Sequence, residues 1–146
     1  QVLEVLAETG FPAASLELEI TESTLQVIER TAGILDALKR LGVSISIDDF
    51  GTGYSSLSVL RGLPIDRIKI DRSFIIDLTE SDDARAMIDA MLTLGRSLRM
   101  ITIAEGIELD AQAELLGRLG CAEGQGFLFA RPMPLDSLRK LLAGRH

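Results

Sequence analysis

Two adjacent aspartates, Asp48 and Asp49, end an alternating run of polar and apolar residues, directly before the turn-forming segment Gly51-Thr52-Gly53. Neighbouring carboxylates repel each other, and a sharp turn does not relieve that repulsion. A divalent cation does, and sites built only from oxygen ligands favour Mg²⁺, Mn²⁺ or Ca²⁺. The pair could serve two ions, one aspartate bridging and the other holding the second ion. Paired ions promote in-line attack of water on a phosphodiester.

Acidic, amide and amine side chains also stand at the C-terminal ends of the other predicted strands. They are Glu19 and Glu22 at the first strand, Lys69 and Asp71 at the third, and Glu105 and Glu108 at the fourth, while Gln125 opens the fifth. An amine close to metal ions and carboxylates could orient the attacking water or stabilise charge on the phosphate. Lys69 is the candidate for that role.

Each of these residues has a simpler interpretation when it is taken singly. An acid at a strand end is more often a helix cap or a solvated loop residue. The segment from Asp48 to Gly53 alone is typical of a tight turn, and Lys69 alone is typical of a surface lysine. The metal-site hypothesis is favoured because the polar positions coincide at one end of every predicted strand.

Strand-like and helix-like stretches alternate along the whole chain and could position these side chains. Strands are predicted at 16–21, 43–48, 67–71, 100–104 and 125–129, and helices at about 23–41, 55–62, 80–98, 109–119 and 135–142. Met87 and Met91 lie on the apolar stripe of a helix and are predicted to be in the core. Phe127 and Phe129 are predicted to pack inside the fold, although an aromatic ring at its rim could stack on a base.

Repeated strand–helix units imply parallel strands with right-handed crossovers. An open doubly wound sheet and a closed barrel both satisfy this rule. Strands of an open parallel sheet are buried on both faces and tend to be apolar throughout. Three predicted strands here carry Ser, Lys, Asp or Glu on one face. We therefore expect an α/β fold of the TIM (β/α) barrel type, with the site at the C-terminal ends of the strands.

Composition excludes several classes of site. The 146 residues contain one cysteine, Cys121, and one histidine, His146, so an internal disulfide is excluded and a zinc site of His and Cys is not expected. A formal charge of −7 argues against binding of long nucleic acid through a basic surface. No apolar run is long enough to span a bilayer, so direct membrane contact is not expected of this segment.

Five segments together resemble the EAL family, the cyclic di-GMP phosphodiesterases of bacteria. They are LELEITES (16–23), SIDDFGTGYSSL (46–57), RIKIDRSFI (67–75), TIAEGIE (102–108) and GQGFLFARPMP (124–134). They occur in the order and at the spacing of the family and cover nearly all of the chain. The resemblance implies a modified TIM barrel that uses Mg²⁺ or Mn²⁺, with two ions expected, to hydrolyse cyclic di-GMP to linear pGpG.

The resemblance also implies roles for individual residues. The implied metal ligands are Glu19, Asp48, Asp49 and Glu105, and Glu105 is in addition an implied general base. Lys69 is expected to contact the catalytic water, Asp71 to neighbour metal-bound waters, and Gln125 to contact the substrate or active site.

A further implication of the resemblance concerns the loop after Asp49. Glu22 and Glu108 are expected to anchor loops, Glu22 holding the loop after Asp49. That loop, which runs on to Leu57, links the metal site to a homodimer interface in the family; its first residues are Phe50, Gly51, Thr52 and Gly53.

One departure from the family is large. The chain contains no Glu-Ala-Leu triplet, and the family's early metal-binding asparagine has no counterpart. A complete TIM barrel takes roughly 250 residues. Residues 1–146 are therefore expected to be the C-terminal part of one EAL domain, with about five strands, inactive alone. The parent domain is expected to be cytoplasmic, in a protein that upstream segments could anchor to a membrane. The alternatives are an inactive cyclic di-GMP receptor, a dimerising interaction module, or a natural short product.

Overall fold

One sheet of five parallel strands forms the centre of the structure. This computed structural model describes residues 1–24, 32–53 and 57–144. The strands follow chain order across the sheet, so each pairs with the next. They are β1 (Glu17–Thr21), β2 (Ser44–Phe50), β3 (Arg67–Ile70), β4 (Ile101–Ala104) and β5 (Glu123–Gly124). The α/β architecture with parallel strands is confirmed.

Helices follow or connect the strands. The described helices are α1 (Val2–Thr9), α2 (Ala32–Arg40), α3 (Leu57–Gly62), α4 (Arg72–Ile76), α5 (Asp82–Leu98), α6 (Asp110–Leu119) and α7 (Leu135–Ala143), with 3₁₀ turns at Ala13–Ser15 and Glu22–Thr24. Within this described part of the chain, no helix has both the length and the apolar character that a membrane span requires.

The two faces of the sheet differ because successive strand residues point to opposite sides. On one face the isoleucines of β2 and β3 are fully buried against the helices. This core includes Ile45, Ile47, Ile68, Ile70, Leu60, Ile88, Leu92 and Leu116. On the other face, Glu19 of β1 stands in register with Ser46 of β2, which stands in register with Arg67 of β3. The predicted separation of apolar and polar positions is confirmed for these strands.

The N-terminal ends of the strands are tied together by Asp66, the residue before β3. Its carboxylate accepts hydrogen bonds from Lys39 Nζ at 2.7 and 2.6 Å and from the Ile45 N–H at 2.8 Å. These contacts join α2, β2 and β3 at the end of the sheet opposite the predicted site. They support the scaffold and leave the C-terminal ends free for chemistry.

The strand predicted at 125–129 is wrong. The strand is β5, which ends at Gly124, and the chain then turns, with the Phe129 N–H donating to the Gly126 carbonyl. Gly126 lies so close to the backbone of Ile107 that any side chain there would collide with it. Because of this turn, Phe127 and Phe129 are each 46% exposed and do not pack inside the fold as predicted.

Two other predictions need correction or fall partly outside the described residues, and one observed helix had no counterpart among the predictions. Met91 is buried as predicted, but Met87 is 48% exposed and is not a core residue. The short helix α4 was not predicted. The helix predicted at 23–41 is observed as α2 from Ala32 onward, whereas residues 25–31 lie outside the described part.

The single cysteine, Cys121, is half-buried beside β5. Its thiol donates to the Glu123 carbonyl at 3.3 Å, and burial raises the pKa of the thiol. The group is a packing residue with a weak hydrogen bond, as is common for a free cysteine in a protein interior.

Two helical glycines provide a test of how α5 packs on the sheet. A Cβ at Gly95 of α5 would collide with Thr102 Oγ1 of β4, whereas a Cβ at Gly117 of α6 would meet open space. Gly95→Ala should therefore lower the free energy of unfolding by about 1–3 kcal/mol through overpacking. Gly117→Ala should raise it by up to about 1 kcal/mol, because alanine favours a helix. Denaturant unfolding of both variants checks this, and equal effects would contradict the packing.

Candidate active site

The ammonium group of Lys69 lies among three carboxylates that come from three other strands or their ends. Its Nζ is 2.6 Å from Glu19 Oε1 at β1 and 3.0 Å from Asp48 Oδ1 at β2. Glu105, directly after β4, is 2.8 Å away through its Oε1. Lys69 itself is 5% exposed. Four of the residues singled out from the sequence therefore meet at one point.

These contacts determine the protonation of Lys69. Burial by itself would lower the pKa of the ammonium, because it removes water from the charged form. The neighbouring carboxylates outweigh burial and hold the pKa of Lys69 above its usual value. Lys69 therefore stays protonated and offers hydrogen-bond donors and a positive charge.

For the pKa of Glu105, burial outweighs the contact with Lys69. Burial raises the pKa of its carboxyl group, and contact with Lys69 only partly offsets this effect. Its Oε1 also accepts a hydrogen bond from Gln125 Nε2. Gln125 thus touches a site residue, although it follows β5 in a turn and does not begin a strand.

A bulge in β2 explains how two adjacent aspartates reach one site. Regular alternation would send Asp48 and Asp49 to opposite faces of the sheet. Between Ile47 and Phe50 the register with β3 shifts by one residue, and Asp49 adopts a left-handed backbone with φ of 54°. Extra residues of this kind re-aim side chains at strand ends. The sequence pattern predicted that the two acids converge, but it did not reveal the bulge.

Three carboxylates are placed so that they could share a cation. One oxygen each of Asp48, Asp49 and Glu105 lie within 4.8 Å of one another. Asp48 Oδ1 is buried and lies 3.0 Å from the Lys69 ammonium, with which it forms an ion pair. An all-oxygen donor set of three converging carboxylates fits a hard divalent cation. Glu19 lies against Lys69 and is not a member of this group of three.

Asp71 occupies the helix-cap position of α4. Its Oδ1 accepts a hydrogen bond from the Ser73 N–H at 3.0 Å, and this bond lowers the pKa of the carboxyl group. Capping is the simpler of the interpretations of such an acid. A further role of Asp71 beside metal-bound waters stays a prediction.

Glu22 contacts the loop after Asp49 through one oxygen. Its Oε2 accepts hydrogen bonds from the Gly51 N–H at 2.9 Å and the Gly53 N–H at 3.0 Å. Glu22 is 5% exposed, so these bonds are shielded from water. The contact has the geometry expected of a loop anchor, while its effect on activity and on dimerisation stays a prediction.

A cavity of about 550 Å³ opens beside Glu105 and Gln125. Phe127 and Arg131 line it, and the Arg131 guanidinium lies 4.4 Å from the centre of the Phe127 ring. Arg72 also lines it and forms an ion pair with Glu108 at 2.9 Å. Arg72 was not singled out from the sequence, although its place directly after a predicted site strand could have indicated it.

Comparison with known proteins gives close matches over almost the whole chain. The cyclic di-GMP phosphodiesterase NbdA of Pseudomonas aeruginosa is 44% identical over 143 residues, which are 97% of this chain and 18% of NbdA. The crystal structure of the EAL domain of Mycobacterium smegmatis DcpA is 42% identical with a TM-score of 0.91, and the match covers 98% of this chain and 65% of that one.

A third match carries a metal and a ligand. Klebsiella pneumoniae BlrP1, solved as a manganese/cy-diGMP complex, is 31% identical with a TM-score of 0.82 over 90% of this chain and 34% of its own. The five strands therefore correspond to a portion of the TIM-barrel-like fold of such domains. The EAL domain family model matches residues 1–132. This chain belongs to the EAL domain family.

Proposed function

We propose that the domain containing this chain hydrolyses one phosphodiester bond of cyclic di-GMP to give linear pGpG. The observation that carries the proposal is the contact of Lys69 with Glu19, Asp48 and Glu105 at the C-terminal end of the sheet. Chemistry of this kind needs a polarising charge and an oriented water, and the cluster offers groups for both. The similarity to the cyclic di-GMP phosphodiesterase NbdA supports the choice of substrate.

The charge of the cluster supports divalent cations as cofactors. Asp48, Asp49, Glu19 and Glu105 bring four carboxylates against the one ammonium of Lys69, so negative charge is in excess. We propose that the four acids hold two ions, Mg²⁺ or Mn²⁺. When bound, such ions offset the carboxylate charge and polarise the phosphodiester. The manganese and ligand present with BlrP1 agree with this choice.

We assign orientation of the water, proton transfer and positioning of the base to individual residues of this chain. Lys69 is protonated and therefore serves as a donor that orients the attacking water and stabilises charge developing on the phosphate. Glu105, which is partly buried, is proposed as the general base as well as a ligand. Gln125 positions the Glu105 carboxylate through its amide.

The cavity beside Glu105 is proposed to receive part of the substrate. Its volume of about 550 Å³ is in the range of small-molecule sites. Phe127 offers an exposed ring on which a guanine base could stack. Arg131 lies over the same ring and adds positive charge near an anionic ligand.

We also propose that this chain is the C-terminal part of its domain. It spans 65% of the DcpA chain, and in the described residues β1 and β5 each pair on one side only. Strands outside this chain would complete the barrel and the ligand set. The loop from Phe50 onward is proposed to form the homodimer contact.

One assay tests the function and the extent of the domain together. The complete domain should hydrolyse cyclic di-GMP when Mg²⁺ or Mn²⁺ is added, and the isolated 146 residues should not. Asp48→Asn should lower turnover by about two orders of magnitude, because an amide replaces a charged ligand. Turnover close to normal in that variant would refute the metal assignment. Turnover by the isolated chain would refute its incompleteness.

Lys69→Ala tests the role of the buried ammonium. Its loss should lower kcat of the complete domain by about 100- to 1,000-fold, as for other donors that act mainly on the transition state. KM should change far less. Lys140→Ala, an exposed lysine of α7, is the matched control and should leave both constants unchanged. A large rise in KM with kcat unchanged would instead make Lys69 a ground-state phosphate contact.

Glu22→Ala tests the loop contact. Removing Oε2 leaves the amides of Gly51 and Gly53 without that acceptor, so the loop should loosen, activity should fall and the dimer should weaken. If one of the two lost charge-assisted bonds, worth about 1.5 kcal/mol, is expressed at the interface, the dimer should be roughly tenfold weaker. Analytical ultracentrifugation measures this, with exposed Glu8→Ala as the control. Lost activity with an unchanged dimer would contradict the proposed link.

A further inference from the structure

We propose that Gln112 is a positioning residue that holds the loop carrying Glu105 against helix α4. This inference rests on the function proposed above, because it concerns how Glu105 is kept beside Lys69. Gln112 is the third residue of α6, in its first turn, and does not touch the carboxylate cluster. It acts on the cluster through the backbone of residues 105–109.

The side chain of Gln112 is 4% exposed and joins two segments that are far apart in sequence. Its Nε2 donates to the carbonyl of Ile75, in α4, at 3.0 Å. Its Oε1 accepts from the N–H groups of Glu108 at 2.9 Å and Leu109 at 3.1 Å. One buried amide thus uses both its donor and its acceptor side, which no apolar side chain of similar size could do.

Starting helix α6 requires only one of these three bonds, the one from the Leu109 N–H. Leu109 has no side-chain acceptor for capping, so the Gln112 carbonyl oxygen satisfies the backbone amide there. The bond to Ile75 adds nothing to the helix start. It ties α6 and the preceding loop to α4, which begins directly after the strand that carries Lys69.

A second contact between α4 and the loop lies next to Glu105. Gly106 has φ of +73°, and a Cβ at this position would collide with the aliphatic stem of Arg72. The Arg72 guanidinium forms an ion pair with Glu108 Oε1 at 2.9 Å. Helix α4 therefore contacts the loop on either side of Ile107.

The opposite side of the loop is held by the turn after β5. The Ile107 N–H donates to the Gln125 carbonyl at 3.1 Å, and the Ile107 carbonyl accepts from the Leu128 N–H at 3.0 Å. Ile107 is buried. The loop is thus fixed between two segments, and loss of the Gln112 bonds would leave only the Arg72 contacts to hold it on the α4 side. Glu105 keeps one direct tie to β3, its N–H donating to the Ile70 carbonyl at 3.2 Å, so we expect the loss to widen the range of Glu105–Lys69 distances without abolishing the contact.

The test uses Gln112→Met in the complete domain. Methionine fills a similar volume but can make none of the three hydrogen bonds. Affinity for Mn²⁺, measured by calorimetry without substrate, should fall about tenfold, the lower end of the effect of residues that support metal ligands. The kcat should fall by a similar factor, with KM changed less than about threefold. Amide exchange of residues 105–109 in the metal-free protein should become faster.

Two controls separate positioning from general loss of stability. Asp110→Ala weakens the first turn of α6, and Leu116→Val weakens its packing, but neither touches the loop or α4 bonds of Gln112. Both should leave Mn²⁺ affinity and loop exchange as in the unaltered domain. If Gln112→Met does not fold, a second variant, Arg72→Met, removes the ion pair with Glu108 at an exposed position. Amide hydrogen exchange of residues 105–109 should then become about two- to fivefold faster, as expected for loss of an exposed ion pair.

The outcomes distinguish this inference from the proposed function. If the unaltered domain shows no Mn²⁺-dependent hydrolysis, the proposed function fails, while exchange in the metal-free variants still reports on the loop. If the unaltered domain is active and Gln112→Met leaves Mn²⁺ affinity and loop exchange unchanged, the positioning role is overturned. Equal effects from Asp110→Ala would overturn it as well, since Gln112 would then serve only the helix.

Discussion

The buried ammonium of Lys69 imposes the strictest condition on this structure. An uncompensated charge cannot be buried at low cost, so Lys69 requires carboxylates within contact distance. No single strand can supply them, because successive residues on one strand alternate between faces. Glu19, Asp48 and Glu105 come from three segments that meet only when parallel strands lie side by side in chain order. The order of strands and the charge balance of the site therefore depend on each other.

The same site contains the clearest departure from regular geometry. Asp49 is one of two described non-glycine residues with positive φ, the other being Arg99, which ends helix α5. A non-glycine residue in a sparsely populated backbone region costs about 1–3 kcal/mol, and aspartate is among the residues that tolerate the left-handed region best. The left-handed backbone at Asp49 brings its carboxylate to the face of the sheet on which the Asp48 carboxylate lies. Local strain and convergence of charge thus have one common cause, the extra residue in β2.

Sequence reasoning recovered those features that periodicity controls. The alternating run that ends at Asp48 predicted one polar and one apolar face, which the buried Ile45 and Ile47 bear out, and the alternation of strands and helices indicated parallel pairing. Sequence reasoning failed where contacts between residues distant in sequence determine the conformation. The turn at Gly126 is imposed by the backbone of Ile107. Met87 belongs to the apolar stripe of α5 but is exposed, because only part of that stripe is buried. The contacts of Gln112 join residues 37 positions apart and leave no periodic signal.

The shielded thiol of Cys121 has a practical consequence for spectroscopy. Thiol-directed dyes and spin labels react with the thiolate, and burial that raises the pKa keeps that form scarce. Since the chain has no other cysteine, a single cysteine introduced at an exposed position would be modified selectively. Gly62, exposed at the end of α3 with open space around it, offers such an attachment point away from the carboxylate cluster. Local mobility and solvent exposure could then be followed with a reporter whose position is chosen by the experimenter.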